Sequence, residues 1–357
     1  MAHSRSFQSM HALARRAAEE WLFGVSLLGL IASSLVLHRI PRYTSDDFHV
    51  VFLLLGFLVI IKGLEKGRLL ARLGASLGAG ERLPLRLVAL TAFLAPLVTN
   101  DVALLVMVPL TLAADVEGVE KVIALETVVA NGASALTPFG NPQNLFIYYH
   151  FGLRAREFVG AIFSLALVIT GFAVLLAGRM RARSRALPPP PVERGSYAYV
   201  VLLALFLPVV LKLLPVWVGI VPLLYAAVCD REALRVDYLL LLTFLCFFGF
   251  TDNLLHAFRP QLKGPGEVFL YTSLSSQFIS NVPSTLLFAD FTANWRALLW
   301  GANVGGFGTL FGSLASLISY KLYLRGRSRK GRFLGVYHFY SFLALGIGVS
   351  LFFLLPP

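Results

Sequence analysis

The chain has 357 residues, of which 57% are hydrophobic and 14% are charged, whereas soluble domains carry about 25% charged residues. This composition excludes a soluble globular domain and predicts an all-α polytopic membrane protein embedded in a lipid bilayer. The net charge of +12 does not indicate nucleic-acid binding, because the basic residues cluster at 66–86, 179–194 and 321–332, each just outside an apolar run.

Taken in chain order, the apolar runs predict about nine membrane spans and two re-entrant hairpins. The spans are predicted at 20–38, 48–64, 121–149, 157–178, 197–213, 215–229, 237–255, 295–320 and 333–355. The hairpins are predicted at 84–114, with a break at "TND", and at 266–291, with a break at "SNVP". With the basic clusters inside, 22 of the 31 Lys and Arg residues lie inside and 7 outside, which puts the N-terminus inside and the C-terminus outside. A single long span over 197–229 would place the third basic cluster outside, so we disfavour it.

A basic and Pro-rich segment at 181–196, "RARSRALPPPPVERGS", divides the chain into halves of 1–180 and 197–357. It has no apolar period and is predicted to be a cytoplasmic linker. The halves match weakly and in the same order, 97–107 with 278–288 and 131–148 with 303–320. Because the two hairpins open on opposite faces in this topology, we expect two inverted repeats, an architecture of many secondary transporters.

The most polar stretch of the first half interrupts an apolar run at 129–149, "VANGASALTPFGNPQNLFIYY". Pro138 and Pro142 remove backbone donors, and Gly140 permits backbone angles that other residues resist. An unpaired backbone group is costly in hydrocarbon, so a helix broken here needs buried partners or a water-filled cavity. Half-helix ends would direct partial positive charge at an anion and partial negative charge at a cation. A structural kink is the alternative, but the density of amides and the matching break at 303–313 favour a substrate site.

The predicted solute and ion ligands are polar and small residues of the two hairpin tips and the two helix breaks. In the first half they are Thr99, Asn100, Asp101, Asn131, Thr137, Gly140, Asn141, Gln143 and Asn144. In the second half they are Ser280, Asn281, Ser284, Thr285, Asn303, Gly305, Gly306, Thr309, Gly312 and Ser313. The second tip has no acid, so the two tips are not chemically equivalent.

Two acids are candidates for coupling transport to an ion gradient. A free carboxylate at the position of Asp101, the first tip, would cost roughly 2.5–3.5 kcal/mol at the bilayer centre. Asp101 is therefore expected to be paired, protonated or bound to a cation, and a helix cap is the equal alternative. Glu126 precedes the first break by about three turns, and we expect it either to face the same cavity or to pair with a basic residue. A candidate Na⁺ site combines Asn100, Asp101 and Asn281.

Enzyme motifs are absent from the sequence, which has no HExxH, no Walker A motif and no clustered acidic pair for a metal. No cofactor is expected beyond a coupling ion, H⁺ or Na⁺. The two cysteines match no metal spacing, so Cys229 and Cys246 are expected to be buried apolar residues. An integral-membrane enzyme or a structural subunit is therefore the least favoured class.

The segments "TNDVALLVMVP" at 99–109 and "LTPFGNPQNLFI" at 136–147 resemble the paired signatures of the ion transporter superfamily. That group includes arsenite permeases, Na⁺/H⁺ antiporters, and citrate and divalent-anion transporters. Segments 276–288 and 303–323 resemble the second-half pair, so the resemblance covers most of 45–325. It is closest to the arsenite-permease-like anion transporters. It implies a secondary carrier whose solute and coupling ions meet between the repeats, and it leaves open a homodimer with elevator-like displacement.

In the symporters of this superfamily, the resemblance implies Na⁺ sites at a Ser-Asn-Thr triplet on each tip. Both tips depart from that triplet at the third position, Asp101 and Val282, and Asp101 resembles the arsenite-permease pattern, for which exchange with H⁺ is expected. We therefore expect a secondary active transporter in the cytoplasmic membrane, moving a small anion or weak oxyacid such as arsenite, silicate, sulfate or a carboxylate. A Na⁺/H⁺ antiporter of the same superfamily and a passive anion channel are the alternatives.

Overall fold

The computed structural model describes residues 21–114, 116–181, 183, 187–258, 262–326 and 330–355, and within them every regular element is helical. The first eight helices are α1 (Trp21–Val36), α2 (Ser45–Lys66), α3 (Leu69–Ala75), α4 (Leu83–Val98), α5 (Asn100–Ala113), α6 (Val119–Ser134), α7 (Pro142–His150) and α8 (Ala155–Gly178). The next eight are α9 (Ser196–Val210), α10 (Ile220–Cys229), α11 (Tyr238–Phe258), α12 (Pro265–Ile279), α13 (Asn281–Ala289), α14 (Trp295–Val304), α15 (Leu314–Gly326) and α16 (Lys330–Leu354). The expected all-α class is confirmed.

Four helical segments of the described residues are long and apolar enough to cross a bilayer. They are α2, α8, the segment Arg231–Ala257 that contains α11, and the segment Arg332–Leu354 of α16. Six apolar helices are shorter, including α1, α4 and α5. The predicted polytopic membrane class is thereby confirmed.

The spans predicted after the linker are two separate helices, α9 and α10, and not one long span. The chain turns after α9 at Lys212, which has a φ of 61°. The start of α9 packs closely on the end of α2 because two glycines face it. A Cβ added to Gly63 would overlap the ring of Tyr199, and one added to Gly67 would overlap the Ser196 hydroxyl. This close packing holds one wall of the site described below.

The two predicted hairpin tips share one backbone conformation. Thr99, between α4 and α5, has φ 82° and ψ 153°, and Ser280, between α12 and α13, has φ 73° and ψ 154°. A residue with a side chain rarely adopts a positive φ, which costs about 1–3 kcal/mol. Thr99 stands over Ser280 in the alignment of the two halves, and an asparagine follows each, Asn100 and Asn281. A strained conformation therefore recurs at matching positions.

The two predicted helix breaks separate α6 from α7 and α14 from α15. A threonine hydroxyl joins each break to the neighbouring tip. Thr137 Oγ1 donates to Pro96 O at 2.8 Å, and Thr309 Oγ1 donates to Gln277 O at 2.9 Å. Thr137 stands over Thr309 in the alignment, and Pro96 and Gln277 each immediately precede the matched segments 97–107 and 278–288. Matching positions in the two halves therefore make matching hydrogen bonds.

Two smaller predictions have different outcomes. Cys246 is buried as expected, but the expectation for Cys229 is wrong. Cys229 is the last residue of α10 and is exposed, because the chain leaves the helix there for a polar loop. Residues 187–193 of the linker form no helix. Positions 182 and 184–186 of the linker lie outside the described residues.

Candidate functional site

A cavity of about 250 Å³ lies between α2, the first tip, the first break and the loop that precedes α11. Its apolar walls include Phe57 of α2, Phe139 of the first break and Ile318 of α15. Its polar lining consists of Lys62, Glu65, Thr99, Asp101, Asn141, Arg235 and Asp237. Elements of both halves therefore meet at this cavity, and its volume suits a small solute.

The burial of the polar lining residues distinguishes a charged rim from a floor of neutral groups and one acid. At the rim, the side chains of Lys62 and Glu65 are 40% and 37% exposed, and Arg235 is exposed. At the floor, Asn141 is 2% exposed and Thr99 is half-buried. A solute that enters the cavity therefore passes charged groups before it reaches amide and hydroxyl groups.

Two helix N-termini form the floor. α5 and α7 begin there, with Thr99 and Asn141 as their N-cap residues. Asn141 Oδ1 accepts from Asn144 N at 3.0 Å, and Asn100 N donates to Gly140 O at 3.1 Å, which fixes the first tip to the first break. Helix N-termini carry partial positive charge, which remains although the N–H groups of Asp101 and Val102 are bonded to Asn100 Oδ1 and Thr99 Oγ1. The floor can therefore stabilise an anion without a basic side chain.

One cluster of amides and hydroxyls joins the first tip to the second break. Asn100 Nδ2 donates to Asn131 Oδ1 at 2.9 Å, and Ser313 Oγ donates to the same oxygen at 3.1 Å. Asn131 Nδ2 donates to Ser316 Oγ at 3.4 Å. All four residues are buried, so these bonds form in a low-dielectric interior where an unmade bond is costly.

A second cluster joins the first break to α14. Asn141 Nδ2 donates to Asn303 Oδ1 at 3.3 Å, and Asn303 Nδ2 donates to Asn144 Oδ1 at 2.9 Å. Gln143, between Pro142 and Asn144, is also buried, at 2% exposure. The amides of the first break are therefore placed beside the cavity floor by residues of both halves.

The predicted ligands of the second half are not part of the cavity lining. Asn303 and Ser313 bond residues of the first half, and the others belong to the second tip and the second break. Ser280 and Asn281 are buried there. Ser284 Oγ donates to Thr272 O at 2.8 Å, and Thr285 Oγ1 donates to Asn281 O at 2.7 Å. These two hydroxyls bond the backbone of their own hairpin, so they do not face the cavity.

Glycines let the second tip pack directly on the second break. A Cβ on Gly306 would lie 3.1 Å from Asn281 Nδ2, and a Cβ on Gly305 would lie 2.5 Å from Ser276 Oγ. A Cβ on Gly312 would lie 2.7 Å from Gly305 O. The observed contacts of these glycines are packing contacts between tip and break.

The two predicted coupling acids occupy different surroundings. Asp101 lines the cavity, and its Oδ1 is buried without a hydrogen-bond partner among the described residues. Glu126 is fully buried and accepts from Thr111 Oγ1 at 2.6 Å, while its Oε2 has no partner in that part of the chain. Glu126 is not among the residues that line this cavity, and its carboxylate faces Thr111 of α5, so its part in coupling stays a prediction.

A clasp defined by Tyr148, Tyr149 and Lys212 joins the end of α7 to the end of α9. Lys212 Nζ lies 4.4 and 4.8 Å from the two ring centroids and donates to Tyr148 O at 3.3 Å and Leu153 O at 3.2 Å. Tyr149 Oη donates to Val210 O at 3.1 Å. The clasp fixes α7, whose first turn forms the cavity floor, to a helix of the second half.

The sequence did not single out Arg235 and Asp237 as cavity residues. Arg235 contributed only to the count of Lys and Arg residues inside, and Asp237 was only the first residue of the predicted span 237–255. Lys62 and Glu65 stood near a span end and gave no sign of facing a cavity. One signal could have identified Glu65. Phe57, Ile61 and Glu65 recur every four residues on one face of α2, and all three line the cavity.

A family model described as "Citrate transporter" matches residues 21–297. An uncharacterized transporter of Methanocaldococcus jannaschii is 34% identical over 308 residues, which cover 81% of this chain and 86% of that protein. The inner membrane protein YbiR of Escherichia coli is 31% identical over 304 residues, which cover 77% of this chain and 80% of that protein.

A polytopic helical fold with a broken-helix cavity, together with these relatives, defines a membrane transporter. The chain belongs to the citrate transporter family, which is part of the divalent-anion and ion transporter superfamily. The resemblance to that superfamily is confirmed.

Proposed function

We propose that the protein is a secondary active transporter that moves a small anion or weak oxyacid across the cytoplasmic membrane, coupled to H⁺ or Na⁺. The observation that carries this proposal is the cavity floor. Two helix N-termini meet there beside Asp101, whose Oδ1 has no partner among the described residues. The N-termini supply the attraction for an anion, and the carboxylate supplies a site for a cation or a proton.

Among the candidate solutes, a carboxylate is the one that we favour. The matched family model is described as that of a citrate transporter, and a carboxylate is attracted by the partial positive charge of helix N-termini and accepts hydrogen bonds from an arginine. Arsenite, silicate and sulfate remain alternatives that the same donors could serve. Asp101 is the proposed coupling residue. Glu126, which lies outside the cavity lining, would act through α5 and α6 if it contributes.

We further propose that the chain consists of two inverted repeats, 1–180 and 197–357, joined by a linker. The matching conformations of Thr99 and Ser280 and the matching threonine hydrogen bonds at the two breaks support it. In this topology the cavity opens to the cytoplasm, because its rim lies beside the basic residues that follow α2. The far end of α7 is held by the Tyr148, Tyr149 and Lys212 clasp, which argues against an open channel.

A Na⁺/H⁺ antiporter is the second candidate, and the unpartnered Asp101 oxygen is the observation that favours it. An antiporter would use the carboxylate for Na⁺ and H⁺ in turn and would need no anion at the helix N-termini. A channel for the solute would neither concentrate it nor show counterflow. A homodimer stays a prediction.

Transport by the purified protein in liposomes tests the proposal. We expect accumulation of radiolabelled citrate, succinate or sulfate under an imposed pH or Na⁺ gradient, and counterflow when the gradient is absent. Vesicles that carry Asn141→Leu are the matched negative control, because this change removes the amide of the floor. Exchange of Na⁺ for H⁺ without uptake of citrate, succinate, sulfate or arsenite would favour the antiporter.

A further inference from the structure

The charged residues that line the cavity differ in whether a neighbouring group compensates their charge. Lys62 Nζ donates to Glu65 Oε2 at 3.1 Å, so these two charges compensate each other. Asp237 Oδ1 accepts from Leu240 N at 3.1 Å and caps the start of α11. Arg235 makes no side-chain hydrogen bond or ion pair with any described residue. The carboxylate of Glu232, three residues earlier, interacts with the Arg235 charge only at longer range, because Lys66 holds that carboxylate in a direct ion pair.

The backbone that carries Arg235 is fixed in place. A short 3₁₀ turn, Arg231–Leu234, precedes it, and Ala233 of that turn is fully buried. Lys66 Nζ, at the end of α2, lies 2.8 Å from both Asp230 Oδ1 and Glu232 Oε2. α2 also supplies Lys62 and Glu65 to the cavity. The loop is therefore tied to the helix that forms a wall of the cavity, and Arg235 is held at the rim.

The chemistry of an arginine suits this position. A guanidinium is always charged, is weakly hydrated, and binds a carboxylate through two parallel hydrogen bonds. The cavity also contains Asp101 and Asp237, which repel an approaching anion. An anionic solute therefore needs a compensating positive group at the mouth, and Arg235 supplies it without first breaking a direct hydrogen bond or ion pair to any described residue.

We propose that Arg235 binds one anionic group of the solute at the cavity rim and gives the site its preference for anions with two separated charges. This inference rests on the proposed function. A second anionic group then reaches the helix N-termini of α5 and α7 at the floor. A solute with a single carboxylate can occupy only one of these two positions at a time, so it binds more weakly.

The test uses three variants of the full chain, Arg235→Gln, Arg235→Lys and Arg231→Gln. Arg231 is the matched control, because it is an exposed arginine of the same loop that does not line the cavity and bonds Ala227 O at 3.3 Å. Each variant is reconstituted into liposomes for uptake of succinate and citrate at low and high salt. Binding of succinate and acetate is measured in detergent by thermal shift, which does not depend on orientation in the vesicle.

We expect R235Q to raise KM for succinate and citrate about tenfold, which corresponds to a loss of about 1.4 kcal/mol, with little change in kcat. In the thermal-shift titration of R235Q, the acetate concentration at the midpoint should rise less than the succinate concentration does. R235K should recover part of the loss, because it keeps the charge but not the two parallel hydrogen bonds. R231Q should match the wild type.

Equal kinetics for R235Q and R231Q in a protein that transports succinate would overturn the role of Arg235 and leave the proposed transport function standing. An equal rise in KM for both variants would show a general surface potential and would also overturn it. A wild-type protein that neither transports nor binds any of these anions would overturn the proposed function, and this inference with it.

Discussion

Replacement of Gly140 by alanine is the sharpest test of the first helix break. A Cβ at this position would lie 2.8 Å from the carbonyl carbon of Ser134 and closer still to its oxygen, and 2.9 Å from Thr137 Oγ1. Backbone atoms cannot move aside as a flexible side chain can. The chain at 135–141 must therefore shift, although the methyl group itself adds little volume.

The free-energy cost of G140A can be worked out from the packing and the hydrogen bond that this shift disturbs. Forcing an extra carbon into packed surroundings costs about 1–3 kcal/mol, and the buried bond from Asn100 N to Gly140 O is worth about 1 kcal/mol. The total of about 2–4 kcal/mol corresponds to a factor of about 30–900 in a binding constant if all of it falls on the site. Because the strain divides between stability and binding, we expect at least a tenfold loss of kcat/KM and a lower Tm.

The assay is solute uptake in liposomes with thermal unfolding of the same preparations. Gly171→Ala is the matched control, since Gly171 lies within α8 and a Cβ there meets no atom within 4 Å. Gly312→Ala extends the test to the second break, where a Cβ would lie 2.7 Å from Gly305 O. If G140A transports as well as G171A does, the tight closure of the first break is not needed and the reasoning fails.

Three further predictions concern charged groups. Asp101→Asn should abolish the dependence of uptake on pH and Na⁺ gradients while leaving the helical circular dichroism unchanged, and an unaltered dependence would remove Asp101 from the coupling role. Lys212→Met should lower Tm and slow uptake, because it keeps the apolar stem but loses two hydrogen bonds and two cation–π contacts of about 0.5–2 kcal/mol each; an unchanged Tm would contradict the clasp. Burial raises the pKa of Asp230, but hydrogen bonds from Lys66 and Tyr199 outweigh it and hold that pKa below its usual value. Stability from such a carboxyl is present above its unfolded pKa and is lost as the pH falls through the folded value, so Tm should drop below about pH 4, and less so in Asp230→Asn.

The sequence was sufficient for the helices and for the places where they end. The polar triplet at 99–101 stands alone within an apolar run, and α4 ends at Val98, immediately before it; α12 likewise ends at Ile279, immediately before the polar pair Ser280 and Asn281. Proline, glycine and amide residues within one apolar run likewise predicted the break before α7. Apolar length and helix-breaking residues act locally, so these features can be deduced without knowing what packs against them.

The orientation of each polar residue could not be deduced in the same way. Phe139 and Phe311 stand at matching positions of the alignment, yet Phe139 is 8% exposed and lines the cavity, whereas Phe311 is 53% exposed. α2 covers the first break, and its Phe57 ring lies 6.2 Å from that of Phe139. A repeat in sequence therefore does not predict which break is covered, because the cover comes from a distant segment. The same reason explains why Arg235 escaped notice.

The asparagine clusters have a consequence for how the protein is made. The bonds from Asn141 to Asn303 and from Ser313 to Asn131 join residues 162 and 182 positions apart. Loop closure over such separations is an entropic cost that local helix formation does not carry. When the ribosome has completed the first half, bonds within that half, such as the one from Asn100 to Asn131, can form, but the partners in the second half do not yet exist. The bonds between the halves have to wait until residue 316 has emerged and inserted, so the contacts that join the two halves beside the cavity are among the last to form.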